Sequence, residues 1–110
     1  MSAEETERSL FEWDRFRRAL LMFMETYDAI ITPASNRPAD LAGEPDELDT
    51  VYTLPYSLSG SPCVVVRAGT SPEALPIGVQ VVARHWREDV ALAVAQQIET
   101  ALGRGQPPPI

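Results

Sequence analysis

The spacing of apolar residues predicts an amphipathic helix at each end of the chain. The first helix runs from about Glu4 to Thr26, and its apolar residues recur every three or four positions, so they share one face. These residues are Trp13, Phe16, Leu20, Phe23 and Tyr27. We interpret this helix as one that packs on the core. The second helix runs from Glu88 to Leu102 and ends at Gly103.

Three short apolar runs between these helices predict strands. The first run, Ala29 to Thr32, is stopped by Pro33. The other two, Cys63 to Ala68 and Ile77 to Ala83, are expected to form a hairpin with a long connection. None of the three alternates strictly with polar residues, which is typical of strands covered on both faces. The order of elements therefore predicts an α/β fold of about three strands and two long helices.

One glutamine, Gln80, interrupts the apolar run of the third strand. A buried amide lowers stability unless it is hydrogen-bonded. We therefore predict a hydrogen-bond partner for Gln80, and a backbone group in particular.

Residues 34 to 49 show no periodicity and predict a long loop. Four acidic residues lie in it: Glu44, Asp46, Glu47 and Asp49. They lack the spacing and the glycine of an EF-hand loop, so a solvated acidic loop is favoured over a metal site. The sequence also has no paired Cys or His spacing, no phosphate-binding glycine loop and no dinucleotide fingerprint. We expect neither a metal nor a cofactor.

Charge and composition argue against nucleic-acid binding, membrane binding and lysine-based catalysis. The 110 residues fit one domain with a net charge of −7, nine arginines and no lysine. An acidic chain without a basic run is a poor candidate for binding nucleic acid or an anionic membrane. The missing lysine excludes Schiff-base and Ser–Lys catalysis by this polypeptide.

The single cysteine and the start of the chain bear on location. Cys63 can form no disulfide within the chain, which fits a reducing compartment. The polar, acidic start, MSAEETERS, does not resemble a signal or transit peptide. A cytoplasmic protein is the expectation.

The stretch SLSGSP offers three candidate nucleophiles, Ser57, Ser59 and Ser61. A serine nucleophile needs an activating base and an oxyanion hole, and the glycine spacing of the esterase elbow is not met. His85, oriented by Asp89, could act as the general base for one of these serines. Alternatively, His85 stands at the entry of the last helix and Asp89 caps it. Cys63 is interpreted as a small core residue rather than a nucleophile.

The ordered segments YDAIITP, TLPYSLSGSPCVVV and ALPIGVQVVARHWREDVALAVAQQIE resemble the C-terminal end of amidase-signature enzymes. These amide hydrolases are related to the A subunit of the glutamyl-tRNA amidotransferase. The resemblance covers about residues 10 to 102. The matching residues are Tyr27, Asp28, Thr32, Pro33, Thr53, Gly60, Pro62, Leu75, Pro76, Gly78, Gln80, Trp86, Ala95 and Glu99. Ser57 stands where the family usually has Asn, and Ala74 and Ala83 stand where it has Gly.

The resemblance implies a larger α/β fold in which a mixed sheet is wrapped by helices. It also implies a Ser–Ser–Lys catalytic set that hydrolyses carboxamides. Because the family's Gly-Ser-rich region and its lysine are not in this chain, no catalytic residue is carried over. The resemblance assigns strands, a covering helix and part of the acyl-pocket wall to this end of the fold. The loop after Pro33 and the segment Tyr52 to Pro62 are expected nearest to substrate.

These observations lead to three hypotheses. In the first, residues 1–103 are the C-terminal segment of an amidase domain, inactive alone, followed by a disordered Pro-rich tail at 104–110. In the second, the chain is an interaction module that forms homo-oligomers or complements a partner protein. In the third, it is an independent hydrolase that uses Ser59 or Ser61 with His85. The first two predict an exposed apolar surface where the rest of the amidase fold, or a partner, packs.

Overall fold

The computed structural model describes residues 1–43 and 47–107 and contains three helices, three strands and one turn of 3₁₀-helix. In chain order these are α1 (Ala3–Phe23), β1 (Ala29–Pro33), the 3₁₀ turn (Glu47–Thr50), α2 (Leu54–Ser59), β2 (Cys63–Thr70), β3 (Pro76–Ala83) and α3 (Glu88–Leu102). The predicted long helices and strands lie within a few residues of these bounds.

The strands form one sheet in the order β1–β3–β2, so β3 is central. Ile31 of β1 and Val64 of β2 both lie opposite Val81, and both strand pairs are antiparallel. The predicted hairpin of β2 and β3 is therefore confirmed, as is the α/β class. The parallel pairing that a mixed sheet needs is not found between the three described strands.

The end of β3 is covered on both faces of the sheet. Successive side chains of a strand point to opposite faces, and Val81 and Val82 are both fully buried, with 0% exposure. Helix α3 packs against β2 and β3, with the small residues Ala91 and Ala95 buried. At the start of β3 the cover ends, since Ile77 is exposed. The prediction of a two-sided burial thus holds for the second half of the strand.

Helix α1 contradicts the prediction that it packs on the core. It begins with a capping box between Ser2 and Glu5, but no residue within it is buried. It packs against α2 rather than the sheet, and the indole Nε1 of Trp13 donates a hydrogen bond to the carbonyl of Leu58. Periodicity shows only which residues share a face, and among the described elements α1 has its main packing contact with the short helix α2. Its exposed apolar residues are Leu10, Phe11, Trp13, Phe16, Leu21, Met22 and Phe23.

Candidate functional site: a polar cleft beside the central strand

A cleft of about 520 Å³ lies between the loop that follows β1 and the start of β3. Its lining combines residues 34–40, Asp49 of the 3₁₀ turn and residues 76–78 of β3. The loop after Pro33, which the resemblance led us to expect near a substrate, therefore forms one wall of the cleft. The turn that carries Asp49 forms the other.

Backbone pairing determines where the first wall leaves the sheet. The Ala34 N–H donates to the Gly78 carbonyl at 3.2 Å, one residue beyond the last paired residue of β1. A Cβ at Gly78 would lie 3.1 Å from Val65 Cγ1 and 3.5 Å from Ala34 Cβ. A side chain at this position would therefore require Val65 to shift by a few tenths of an ångström, whereas its contact with Ala34 would be an ordinary one.

Arg37 connects the two walls through ion pairs. Its Nη2 lies 2.8 Å from Asp40 Oδ2 on its own wall, and its Nε lies 3.6 Å from Asp49 Oδ1 on the other. The guanidinium is partly exposed, so each pair contributes modestly to stability. The arrangement gives the cleft a cation held between two carboxylates, beside apolar residues such as Pro38 and Ile77. Sequence reasoning missed Arg37, although a lone arginine in an acidic loop was a signal for it.

The acidic loop does not form a metal site in the part of the chain that the structure describes. Asp49 pairs with Arg37, and no group of three His, Cys, Asp or Glu residues among the described residues could hold a metal ion. Glu44, Asp46 and the side chain of Glu47 lie outside the described part.

Two of the candidate serines, Ser59 and Ser61, hydrogen-bond to each other and not to the proposed base. Ser59 is buried, and its Oγ donates to the Tyr56 carbonyl at 3.2 Å and lies 2.7 Å from Ser61 Oγ. Ser57 is exposed on α2. The described contacts therefore give no serine an activating base.

The candidate base and its carboxylate are likewise apart. His85 Nε2 is buried and has no hydrogen-bond partner among the described residues. Asp89 is held by Arg87, with Nε to Oδ1 at 3.0 Å and Nη2 to Oδ2 at 3.1 Å. These hydrogen bonds lower the pKa of Asp89. The structure therefore provides no Ser–His–Asp relay, and Arg87 rather than Asp89 occupies the N-cap of α3.

Cys63 is exposed, so its interpretation as a core residue is wrong. It lies at the start of β2, an edge strand of the described sheet. The apolar residues that follow it in the sequence suggested burial, but they do not show which strands lie at an edge. Partial burial of the thiol nevertheless raises the pKa of Cys63. A raised pKa leaves less thiolate at neutral pH, which makes Cys63 a poor nucleophile.

Comparison with known proteins identifies the family. The model of the family described as Amidase matches residues 2–92. The chain belongs to the amidase family. It is 37% identical over 109 residues to the A subunit of the glutamyl-tRNA(Gln) amidotransferase of Methylocella silvestris, covering 93% of this chain and 21% of the relative. It is 36% identical over 90 residues to the same protein of Xanthobacter autotrophicus, covering 76% and 18%.

Solved structures agree with this assignment. The amidase-family chain superposes on 6-aminohexanoate cyclic dimer hydrolase with a TM-score of 0.83 and 27% identity, covering 96% of this chain and 27% of that one. The glutamyl-tRNA(Gln) amidotransferase protein of Thermotoga maritima gives a TM-score of 0.66 and 25% identity, covering 91% and 28%. The chain thus spans about a fifth to a quarter of the proteins it matches. None of the helices in the described part has the length and hydropathy needed to cross a bilayer.

The departures from the family pattern have different structural consequences. Ala74 lies in the turn between β2 and β3 with φ of +65°, in the left-handed region that favours glycine. Its N–H donates to the Ser71 carbonyl at 2.9 Å, which closes the turn. Ala83 is the buried last residue of β3, where its alanine side chain is well accommodated.

Proposed function

We propose that this chain is the C-terminal part of an amidohydrolase that cleaves carboxamide C–N bonds. The observation that carries the proposal is the match of the Amidase family model to residues 2–92. In this proposal residues 1–103 form a segment of the amidase domain and residues 104–110 form a Pro-rich tail. The single cysteine supports a cytoplasmic location.

We infer that the chain contributes scaffold and pocket wall rather than catalytic groups. The amidase resemblance implies a Ser–Ser–Lys set, and this sequence contains no lysine. Ser59 and Ser61 contact each other, and Ser59 also contacts a backbone carbonyl, which supports a structural role for these two serines. The polar cleft beside Gly78 is the surface that we assign to the acyl-pocket wall.

An activity assay in two stages tests this proposal. The chain alone should not release ammonia from simple carboxamides, whereas adding the N-terminal part of a related amidase, which carries the catalytic set, should produce hydrolysis. Ser59→Ala and His85→Ala variants, purified in parallel, identify contaminating activity. Turnover by the chain alone that disappears in either variant contradicts the proposal and supports the independent hydrolase. No hydrolysis by the mixture, although the two parts bind, argues against a contribution to an amidase.

The exposed apolar surface of α1 favours a second candidate, a module that binds a partner or a second copy. Seven large apolar side chains along α1 are exposed, including Phe11 at 67% and Phe23 at 52%, and a monomer rarely exposes so much apolar surface on one element. Native mass spectrometry over a concentration series distinguishes the candidates. Dimers that Phe11→Ser and Phe23→Ser abolish, while Leu92→Ser on α3 leaves them intact, support self-association. A monomer at all concentrations with a cooperative melt argues against it.

A further inference from the structure

Gln80 is a buried residue of the central strand and lies beneath the cleft rather than in its lining. It is 3% exposed and lies two residues after Gly78, so both residues share one face of β3. Its side-chain Nε2 donates to the Tyr52 carbonyl at 2.9 Å and to Thr32 Oγ1 at 3.2 Å. One amide group therefore joins the central strand, the edge strand β1 and the segment that precedes α2.

The bond to Tyr52 bears directly on the second wall. Tyr52 lies three residues after Asp49, and the backbone between them is folded tightly, with Val51 N donating to Leu48 O at 3.2 Å and Thr53 N to Thr50 O at 3.1 Å. A displacement of Tyr52 therefore moves Asp49 with it. The first wall is fixed independently by the bond between Ala34 N and Gly78 O. The position of Asp49 relative to the first wall is thus set by the anchor at Tyr52 together with the ion pair to Arg37.

We propose that Gln80 is a positioning residue whose amide holds the Asp49–Tyr52 wall against β3 and so sets the width of the cleft. A primary amide of this length suits the position, because the two N–H groups on one nitrogen reach both acceptors, Tyr52 O and Thr32 Oγ1. A glutamate has the same shape, but its carboxylate has no N–H to donate, so it cannot hydrogen-bond to the Tyr52 carbonyl. The cleft's role toward substrate rests on the proposed function, whereas the anchor itself is independent of any activity.

Hydrogen exchange on the whole chain tests the anchor. In Gln80→Glu at pH 7.5 the amides of Val51, Thr53 and Tyr56 should exchange roughly five to ten times faster, because the loss of one buried hydrogen bond opens the wall. Amides of α3 should change much less. At pH 5, protonation of a buried glutamate restores one O–H donor, and the local protection should recover.

Two controls isolate the side chain at position 80. Gln80→Leu has no titrating group, so its local protection should remain low at both pH values. The wild-type chain measured at both pH values accounts for every effect of pH that does not involve position 80. Exchange that rises equally in α3 and in the wall, or a Gln80→Glu chain that does not recover at pH 5, overturns the proposal.

A measurement on the unmutated chain covers the case in which the variants fail to fold. Both side-chain Nε2 protons of Gln80 should exchange slowly in NMR spectra and show contacts to Tyr52 and Thr32. The exposed Gln96 and Gln97 side chains serve as internal references for fast exchange. Fast exchange at Gln80 overturns the proposal, and loss of hydrolysis in the two-part assay with a protected Gln80 contradicts only the proposed function.

Discussion

Arg84 caps the C-terminal end of helix α1 from a distant part of the sequence, with its Nε 2.7 Å from the Met24 carbonyl oxygen. The same guanidinium donates to the carbonyls of Tyr27 at 3.2 Å and Glu25 at 3.3 Å. Helix C-termini leave carbonyls without partners, and α1 has no basic residue in its last turn. Arg84 therefore supplies the cap that the helix itself lacks.

Replacing Arg84 by Met should lower the free energy of unfolding by about 1–3 kcal/mol, because carbonyls at the end of α1 lose a charged donor. Met keeps the aliphatic stem, and urea unfolding measures the change. Arg87→Met is the matched control, since Arg87 makes a solvent-exposed pair with Asp89 and its replacement should change stability much less. Equal effects of the two substitutions would contradict the capping role.

Replacing Ala74 by Gly should raise the free energy of unfolding by up to about 1 kcal/mol, because φ of +65° strains a residue that carries a Cβ. Ala83→Gly is the matched control at the other position where the family has glycine. It should destabilise the chain by about 1 kcal/mol or more, because it removes a buried methyl group from a strand. Thermal melts of both variants should therefore shift in opposite directions, and a shared direction would refute the argument.

Replacing Trp13 by Phe should detach α1 from α2, because the ring remains apolar but the hydrogen bond to the Leu58 carbonyl is lost. We expect a loss of about 1 kcal/mol of stability and faster amide exchange at the end of α2. Trp86→Phe is the control, since Trp86 is 89% exposed. If Trp13→Phe exchanges at the wild-type rate in α2, the helices are joined by other contacts.

The start of α1 should lose the carboxylate half of its capping box as the pH falls through the lowered pKa of Glu5. The Ser2 backbone N–H, 2.7 Å from Glu5 Oε2, and then the Ser2 side chain lower the pKa of Glu5 from 4.5. A carboxylate with a lowered folded-state pKa contributes its stabilisation at pH above 4.5 and loses it as the pH falls through the lowered value. NMR titration of the Ser2 amide shift should report a midpoint below 4.5.

Glu5→Gln provides the control for this titration. Gln can still accept the Ser2 N–H in a capping box but does not titrate, so the Ser2 amide shift should become independent of pH in this range. Glu7→Gln should leave the titration unchanged, because Glu7 is not part of the box. A Ser2 titration that persists in Glu5→Gln would show that another carboxylate is responsible.

The hairpin of β2 and β3 and the partner of Gln80 could be predicted from the sequence, because each depends on a local rule. β-Branched runs bounded by turn residues form strands, and a buried amide must be hydrogen-bonded, as the bond from Gln80 to the Tyr52 carbonyl confirms. The cleft could not be predicted. The cleft forms because the fold places Arg37 and Asp49 on opposite walls. These residues are twelve positions apart in a region without periodicity, so no local pattern indicates that they meet.

The sequence by itself determined the family, the approximate bounds of the strands and long helices, and the absence of a lysine for amidase chemistry. All three follow from residue identity and local spacing. The tertiary structure decided which apolar residues are covered: Val81 is fully buried, whereas Trp13, Phe16 and Phe23 of α1 and Cys63 are exposed. Burial depends on what packs against a face from distant parts of the fold, and periodicity carries no information about that neighbour.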